Sequence, residues 1–208
     1  YKSGYEAIVR NYTGCTSDPK IIRQFFETAL PSFKNIGGIG VDLGGGAGFI
    51  SSSVAYFSQI QKIYCVEAVS KVVELLQPLI KKRVLADQYD KVVSVVGNFD
   101  NLLLADESLD FAFAWDSMHH SSNPVGTLKE CNRVLKSGGK LVIVDRSHDN
   151  ATPDEEIERM LDIVYGKEFL VENFRPPTMR LTRRENGEHE YRYSEWFTFF
   201  EKAGFVVE

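Results

Sequence analysis

Between residues 39 and 145 the chain alternates short, continuously apolar, β-branched runs with longer stretches of helical period. The runs are Ile39–Leu43, Lys62–Val66, Lys91–Val96, Asp110–Trp115 and Lys140–Asp145. Apolar character without a period of two marks strands covered on both faces. Helical stretches lie between them, near Gly48–Ser58, Ser70–Ala86 and Pro124–Leu135. Lys136-Ser137-Gly138-Gly139 stops the last helix and turns the chain into the next strand. Strand and helix in strict succession predict an α/β fold, doubly wound, with a mainly parallel sheet and helices on both faces.

The flanks break this rhythm. Residues 1–35 predict an N-terminal cap of one or two amphipathic helices, with Ile21, Ile22, Phe25, Phe26 and Leu30 at helical spacing. After the fifth strand, Thr152-Pro153-Asp154-Glu155-Glu156 has the character of a helix start and predicts a helix to about Tyr165. The following stretch is aromatic and basic and is interrupted by Pro176-Pro177. Its many large apolar residues make 151–193 an insertion or lid, part helical and part irregular, rather than a linker. A helix near Ser194–Ala203, then Gly204 and a strand beginning Phe205-Val206-Val207 close the chain, one strand short of the expected sheet. A single domain over 1–208 is expected, with its core at 36–150. The opening Tyr1 in place of Met suggests that the native start is missing, so a larger parent protein stays open.

Composition narrows the function classes. The 43% apolar content supports a substantial core, and 25% charged is ordinary for a soluble protein. A net charge of −5 gives no general attraction to a phosphate backbone. The one basic cluster, Arg175, Arg180, Arg183, Arg184 and Arg192, is diluted by Glu185, Glu188, Glu190 and Glu195 and reads as a solvated surface. Cys15, Cys65 and Cys131 are odd in number and far apart, which implies neither a disulfide framework nor a metal site. Cys65 sits in an apolar run as a small core residue. No apolar stretch spans a bilayer. Together these features predict a cytoplasmic protein without a nucleic-acid partner.

The chemistry concentrates in Val41-Asp42-Leu43-Gly44-Gly45-Gly46-Ala47-Gly48-Phe49. A buried strand ends at an acid, and a glycine-rich turn opens a helix. Glycines at 44, 46 and 48 let the backbone turn sharply and approach a ligand closely. A dinucleotide loop of the G-x-G-x-x-G type needs its third glycine at 49, which is Phe. A carboxylate at Asp42 suits a cationic ligand better than a pyrophosphate, which it would repel.

Asp-x-Gly-x-Gly-x-Gly resembles the first motif of the class I S-adenosylmethionine-dependent methyltransferases, in which the loop backbone lies against the methionine part of the cofactor. Later segments extend the resemblance in order. Glu67 ends the second run and corresponds to the acid that accepts hydrogen bonds from the ribose diol. Gly97-Asn98-Phe99-Asp100, followed by Asp106-Glu107-Ser108-Leu109-Asp110, is similar to the adenine-binding segment, with Asn98 where the family has Asp. An amide oxygen still accepts from an adenine amino group, while its nitrogen adds a donor. Phe99 is placed to stack on the ring or to offer its backbone N–H. Met118-His119-His120, Glu130-x-x-Arg133-Val134-Leu135 and Lys136-Ser137-Gly138-Gly139 match the family's loop, helix and turn, with Ser137 replacing Pro. The resemblance covers 39–145 and is to small-molecule enzymes of the type 11 kind. It implies a Rossmann-like fold, S-adenosylmethionine as cofactor with S-adenosylhomocysteine as product, and methyl transfer to an O, N or C nucleophile.

Cofactor contacts are therefore expected from Asp42, Gly44, Gly46, Gly48, Glu67, Asn98, Phe99 and Asp116. The carboxyl ends of parallel strands carry the ligands of such sheets. His120 after the fourth run and His148 after the fifth are the candidate general bases, because imidazole titrates near neutrality. No metal is expected. Tyr5, Tyr12, Phe169, Phe174, Arg175, His189 and Tyr191 are candidates to line the acceptor pocket, or to pack the insertion onto the sheet. Arg175 with Arg180 or Arg192 is a candidate holder of an acidic acceptor. Glu130 and Arg133 read as a structural pair. The expected partner is a small-molecule acceptor, and a homodimer stays open. Competing readings are a nicotinamide-dependent oxidoreductase, a non-catalytic cofactor-binding domain, and aminopropyl transfer on the same fold.

Overall fold

The computed structural model describes residues 19–29 and 36–208, so the expectations for Tyr5, Tyr12, Cys15 and Leu30 lie outside the described residues. Five strands form one parallel sheet in the order β3-β2-β1-β4-β5: β1 Gly38–Leu43, β2 Ile60–Glu67, β3 Val92–Val96, β4 Leu109–Trp115 and β5 Leu135–Val144. The helices are α1 Pro19–Ala29, α2 Phe49–Ala55, α3 Gln77–Leu85, α4 Pro124–Val134, α5 Asp154–Leu161, α6 Lys167–Glu172 and α7 Tyr193–Lys202. A π-helical turn, Val72–Leu76, leads into α3, and a 3-10 turn, Met118–His120, follows β4. The alternation predicts this architecture, and the sheet is doubly wound as expected.

Side-chain alternation along β4 shows how the sheet is covered on both sides. Phe111 and Phe113 join a cluster with Ile22 and Phe26 of α1 and with Val54 and Ala55 of α2. Ala112 and Ala114 point into the opposite cluster, with Leu128 and Cys131 of α4 and Trp196 of α7. Helix α1 docks through aromatic edges: the Phe26 ring lies 6.2 Å from Phe113 and 6.0 Å from Trp115. Gly40 in mid-β1 exists because a Cβ there would overlap the Phe111 ring.

Two predicted elements are corrected. The helix from 152 ends at Leu161, not near Tyr165, because residues 163–165 adopt extended pairing instead. Tyr165 N–H donates to Leu181 O at 2.9 Å, and Arg183 N–H to Ile163 O at 3.0 Å. The strand expected at Phe205–Val207 does not form. Phe205 N–H closes the end of α7 on Phe200 O at 3.0 Å, beyond Gly204 at φ +85°, and Val206 is 91% exposed.

β1 has β2 on one side and β4 on the other, so the chain reverses its winding direction there. Ligands of open α/β sheets bind in the crevice at the carboxyl ends of the strands at such a point. The segments after β1 and β4 meet there: Ser117 Oγ donates to Leu43 O at 2.5 Å, and a Cβ on Gly44 would lie 2.7 Å from Ser117 Cβ. Among the described residues no helix is long and apolar enough to cross a membrane.

Candidate active site

The glycine loop is held by backbone contacts on its β2 side. Gly44, Gly46 and Gly48 all have left-handed φ values, of +71°, +51° and +80°. Gly45 N–H donates to Val66 O at 2.9 Å, and Gly46 N–H to Glu67 Oε2 at 3.1 Å. Glu67 Oε1 in turn accepts from Val69 N–H at 2.8 Å. Gly45 is the glycine that the motif does not require and this structure does. A Cβ there would overlap Cys65 Sγ and come within 2.9 Å of Asp42 Oδ2. Cys65 is fully buried, the core residue its sequence context predicts.

Asp42, expected beside a cationic ligand, lies instead beneath the loop at 1% exposure and accepts from Ser51 Oγ at 2.5 Å. Burial pushes its carboxyl up to about 7, reinforced by the nearby Glu67 charge and opposed by the Ser51 hydrogen bond. Asp42 thus supports the loop from its inner side.

The segment after β3 forms the next wall. The Phe99 ring edge approaches Gly44, at 3.4 Å from where a Cβ would stand. Asn98 is exposed, and its Oδ1 accepts from Asp100 N–H at 2.8 Å, which orders the turn. Glu130 and Arg133 pair as read from the sequence, at 2.7 and 2.8 Å, and also clamp this loop. Glu130 accepts from Leu102 N–H at 2.7 Å, and Arg133 donates to the carbonyls of Leu102 and Leu104, both at 2.9 Å.

Across the crevice, the ends of β4 and β5 are rich in charge. His119, 2% exposed, donates from Nδ1 to Asp145 Oδ1 at 2.7 Å, and its Nε2 accepts from Arg146 Nη2 at 3.1 Å. Arg146 also binds Asp116 Oδ1 at 2.9 Å and Glu188 Oε2 at 3.0 Å. Asp116 is exposed, with a left-handed φ of +51°. Arg183 reaches Glu188 Oε2 at 2.7 Å and pairs with Glu190, which accepts from His148 Nε2 at 2.6 Å. Glu188 and Glu190 are buried, at 3% and 9% exposure. They were expected on a solvated surface, and guanidinium partners make their burial tolerable. Burial raises the Glu188 carboxyl against the opposing pull of Arg146.

His120 follows His119 at 4.4 Å between ring centroids. It is exposed, yet partial burial of its ring and the neighbouring His119 lower its imidazole to about 4. One ring nitrogen each of His119 and His120 and one Glu188 oxygen lie within 4.8 Å of one another, donor types that suit a transition metal. Arg146 already donates to His119 and Glu188, however, and a guanidinium there repels a second cation.

The aromatic candidates mostly pack the insertion. Phe169 stacks on Tyr165, Tyr191 packs edge-on against Trp196 and Phe199, and Phe174 joins the cluster of Ala47, Leu76 and Ile80. Arg192 is engaged with Thr152 O and Asp154, while Arg175 and Arg180 are exposed.

Residues 41–143, which carry the loop, the Glu67 strand end and the β4 edge, match a family profile described as "Methyltransferase domain". The chain belongs to the class I S-adenosylmethionine-dependent methyltransferase family. Over 72 residues this chain is 35% identical to sarcosine/dimethylglycine N-methyltransferase of Aphanothece halophytica, covering 35% of the chain and 26% of that relative. The curated relatives are matched over 26% to 51% of their own length. A Galdieria sulphuraria structure provisionally assigned as a sarcosine dimethylglycine methyltransferase superposes at TM-score 0.65, with 19% identity, over 89% of this chain and 60% of that one. An S-adenosylmethionine-dependent methyltransferase from Aquifex aeolicus gives 0.57, with 21% identity, over 93% and 91%. At these identities both structures speak to the fold alone.

The methyltransferase cofactor fits this loop. A Cβ on Gly46 would meet nothing within 4 Å, so the loop's outer face is open, and Glu67 at the strand end keeps carboxylate lone pairs beyond its two backbone donors. Nothing in the comparisons favours a nicotinamide enzyme.

Proposed function

We propose that this methyltransferase moves a methyl group from S-adenosylmethionine to a nucleophilic nitrogen, oxygen or carbon of a small-molecule acceptor. The observation that carries the reading is the open glycine cradle at the switch point, facing a histidine-bearing rim across the crevice. Bound there, the cofactor supplies an electrophilic methyl on a positive sulfur.

The chain's own work is to hold and align. The backbone at Gly44, Gly46 and Gly48 meets the amino-acid end, Glu67 the ribose diol, and Asn98 with Phe99 the adenine. Asp42 acts from beneath by shaping the loop. Asp116 stands at the junction between the cofactor side and the Arg146 cluster. His120 is the general base of this reading: its imidazole stays neutral at pH 7, with a lone pair able to take a proton from the acceptor. His148 is the second candidate, and its hydrogen bond to Glu190 ranks it below His120. The insertion 151–193, latched onto the segment after β5 through Glu188 and Glu190, serves as the acceptor lid. Amine acceptors come first, because two of the curated relatives are sarcosine/dimethylglycine N-methyltransferases. Cytoplasmic residence, a possible homodimer and independence from nucleic acid belong to the same proposal.

The test is calorimetric titration with S-adenosylhomocysteine, with NADH as control, followed by transfer assays on sarcosine, dimethylglycine and a wider amine panel. S-adenosylhomocysteine alone should bind. His120→Ala should lower kcat about 100-fold with cofactor affinity unchanged, the usual worth of a general base. A folded chain that ignores S-adenosylhomocysteine would sink the reading. Binding without turnover on any acceptor would make the chain a non-catalytic cofactor-binding domain.

A further inference from the structure

Gln77, the first residue of α3, lies under the cofactor loop although no motif includes it. It is fully buried, 31 positions from Gly46 in sequence, and its Nε2 donates to Gly46 O at 2.8 Å. The same nitrogen reaches Cys65 Sγ at 3.3 Å, the atom that excludes a Cβ at Gly45. Gln77 Cγ is 3.5 Å from where a Cβ on Gly48 would stand. One side chain therefore meets the loop at Gly46 and beside Gly48.

Two further observations set Gln77 apart from ordinary packing. Its Oε1 is buried with no hydrogen-bond partner among the described residues. Buried amides are rarely left half-satisfied, and an apolar residue of the same volume would avoid that penalty. The approach to Gln77 is a π-helical turn, Val72–Leu76, whose wider winding sets the register at which α3 begins. Such turns in α-helices are frequent at functional sites.

We propose that Gln77 is a positioning residue for the amino-acid end of the cofactor, fixing the orientation of the Gly46 peptide. Its bond to Gly46 O turns that carbonyl inward, while Glu67 holds the Gly46 N–H on the β2 side. Gly46 is thus held at both of its backbone polar atoms, one in each flanking peptide, before any ligand arrives, which removes an ordering cost from binding. This inference rests on the cofactor reading above.

The test uses the whole chain with Gln77→Leu, and with Gln77→Met as a second variant that keeps the unbranched stem. Each is titrated with S-adenosylhomocysteine and with 5′-methylthioadenosine, which has the same nucleoside but no amino-acid end. Loss of one buried hydrogen bond should weaken S-adenosylhomocysteine about tenfold. Methylthioadenosine should bind each variant as it binds the wild type, and thermal denaturation should show folded variants. Equal weakening of both ligands would reduce Gln77 to a general structural part and overturn the proposal. Unchanged S-adenosylhomocysteine affinity in either folded variant would overturn it too. If the wild-type chain bound neither ligand, the cofactor reading itself would fall.

Discussion

The two rims of the crevice are built on opposite principles. On the β1–β2 side, glycines in left-handed conformations and backbone N–H groups carry the site, and its carboxylates serve the main chain: Glu67 caps Gly46 and Val69, while Asp42 lies below. On the β4–β5 side, the backbone is ordinary apart from Asp116, and side-chain charge carries the structure through Arg146, Glu188, Arg183, Glu190 and the two histidines His119 and His148. A rim made of backbone tolerates few side chains but is indifferent to the acceptor. A rim made of paired side chains can be rebuilt by substitution, which suits the part of the site that selects an acceptor. The difference separates what the fold provides from what a particular enzyme adds.

The sharpest way to break the first rim is Gly45→Ala. Overpacking a tight site costs about 1–3 kcal/mol. The new Cβ would press on Cys65 Sγ and Asp42, so the loop must move. S-adenosylhomocysteine affinity should fall by up to about 100-fold, at roughly tenfold per 1.4 kcal/mol. Gly46→Ala is the comparison, since its Cβ meets no protein atom and only the left-handed backbone resists. If thermal denaturation of the unliganded proteins ranked Gly45→Ala as the milder of the two, the loop's support from below would be wrong.

The second rim should fail differently. Glu188→Gln leaves Arg183 and Arg146 facing a neutral amide. Breaking a buried ion pair from one side costs of order 3 kcal/mol. At about 2–4 °C per kcal/mol that is a Tm loss of about 6–12 °C. Affinity for S-adenosylhomocysteine, bound across the crevice, should stay within about twofold, as expected of independent sites. A variant with intact Tm and lost cofactor binding would show that the rims do not divide the work.

The same division decides how much could be read from the chain. The first rim is local: Asp42 through Gly48 is a continuous motif, and Glu67 ends the next apolar run. Period and turn chemistry therefore locate strands, loop and cofactor acid together. The strand order itself is not legible there, because the same strand–helix alternation serves more than one doubly wound order. Gly45 was hidden because its need comes from Cys65, 20 positions on, and Gln77 because its partner is 31 positions back. The second rim joins residues 26 to 42 positions apart, as in His119–Asp145, Arg146–Glu188 and His148–Glu190. Glutamates among arginines look the same in sequence whether they face solvent or a buried guanidinium. Pattern reasoning counted them as surface for that reason. The absent strand at 205–207 failed similarly: three apolar residues satisfy a strand pattern, but only a neighbouring edge can make them one.

Glu67→Ala sharpens the comparison with a smaller effect. It removes the acceptor for Gly46 and Val69 N–H and the acid expected at the ribose. Hydrogen bonds to a charged group contribute about 1.5–3 kcal/mol, so affinity should fall roughly 10- to 100-fold. Loss for S-adenosylhomocysteine but not for a ribose-free fragment such as S-methylmethionine would tie the effect to the diol. Equal loss for both would assign it to the loop.

The smallest effect on stability belongs to His120, and its sign is informative. The ring titrates near 6.5 when unfolded and near 4 in the folded chain. Between those values the unfolded state binds a proton that the native state refuses, so stability falls as pH drops from about 6.5 to about 4 and levels off below. Because part of the ring meets solvent, screening trims the effect. His120→Gln has no such titration, so its Tm advantage over the wild type should grow through that window by about 2–4 °C at most, roughly the worth of 1 kcal/mol. The kinetics should agree. As the general base, His120 would place the acid limb of kcat/KM near 4, leaving its lone pair available at pH 5. A limb near 6.5 that vanished in His120→Gln would mean an ordinary, solvated imidazole. Burial and His119 would then no longer govern the ring, and the second rim would not extend to the acceptor.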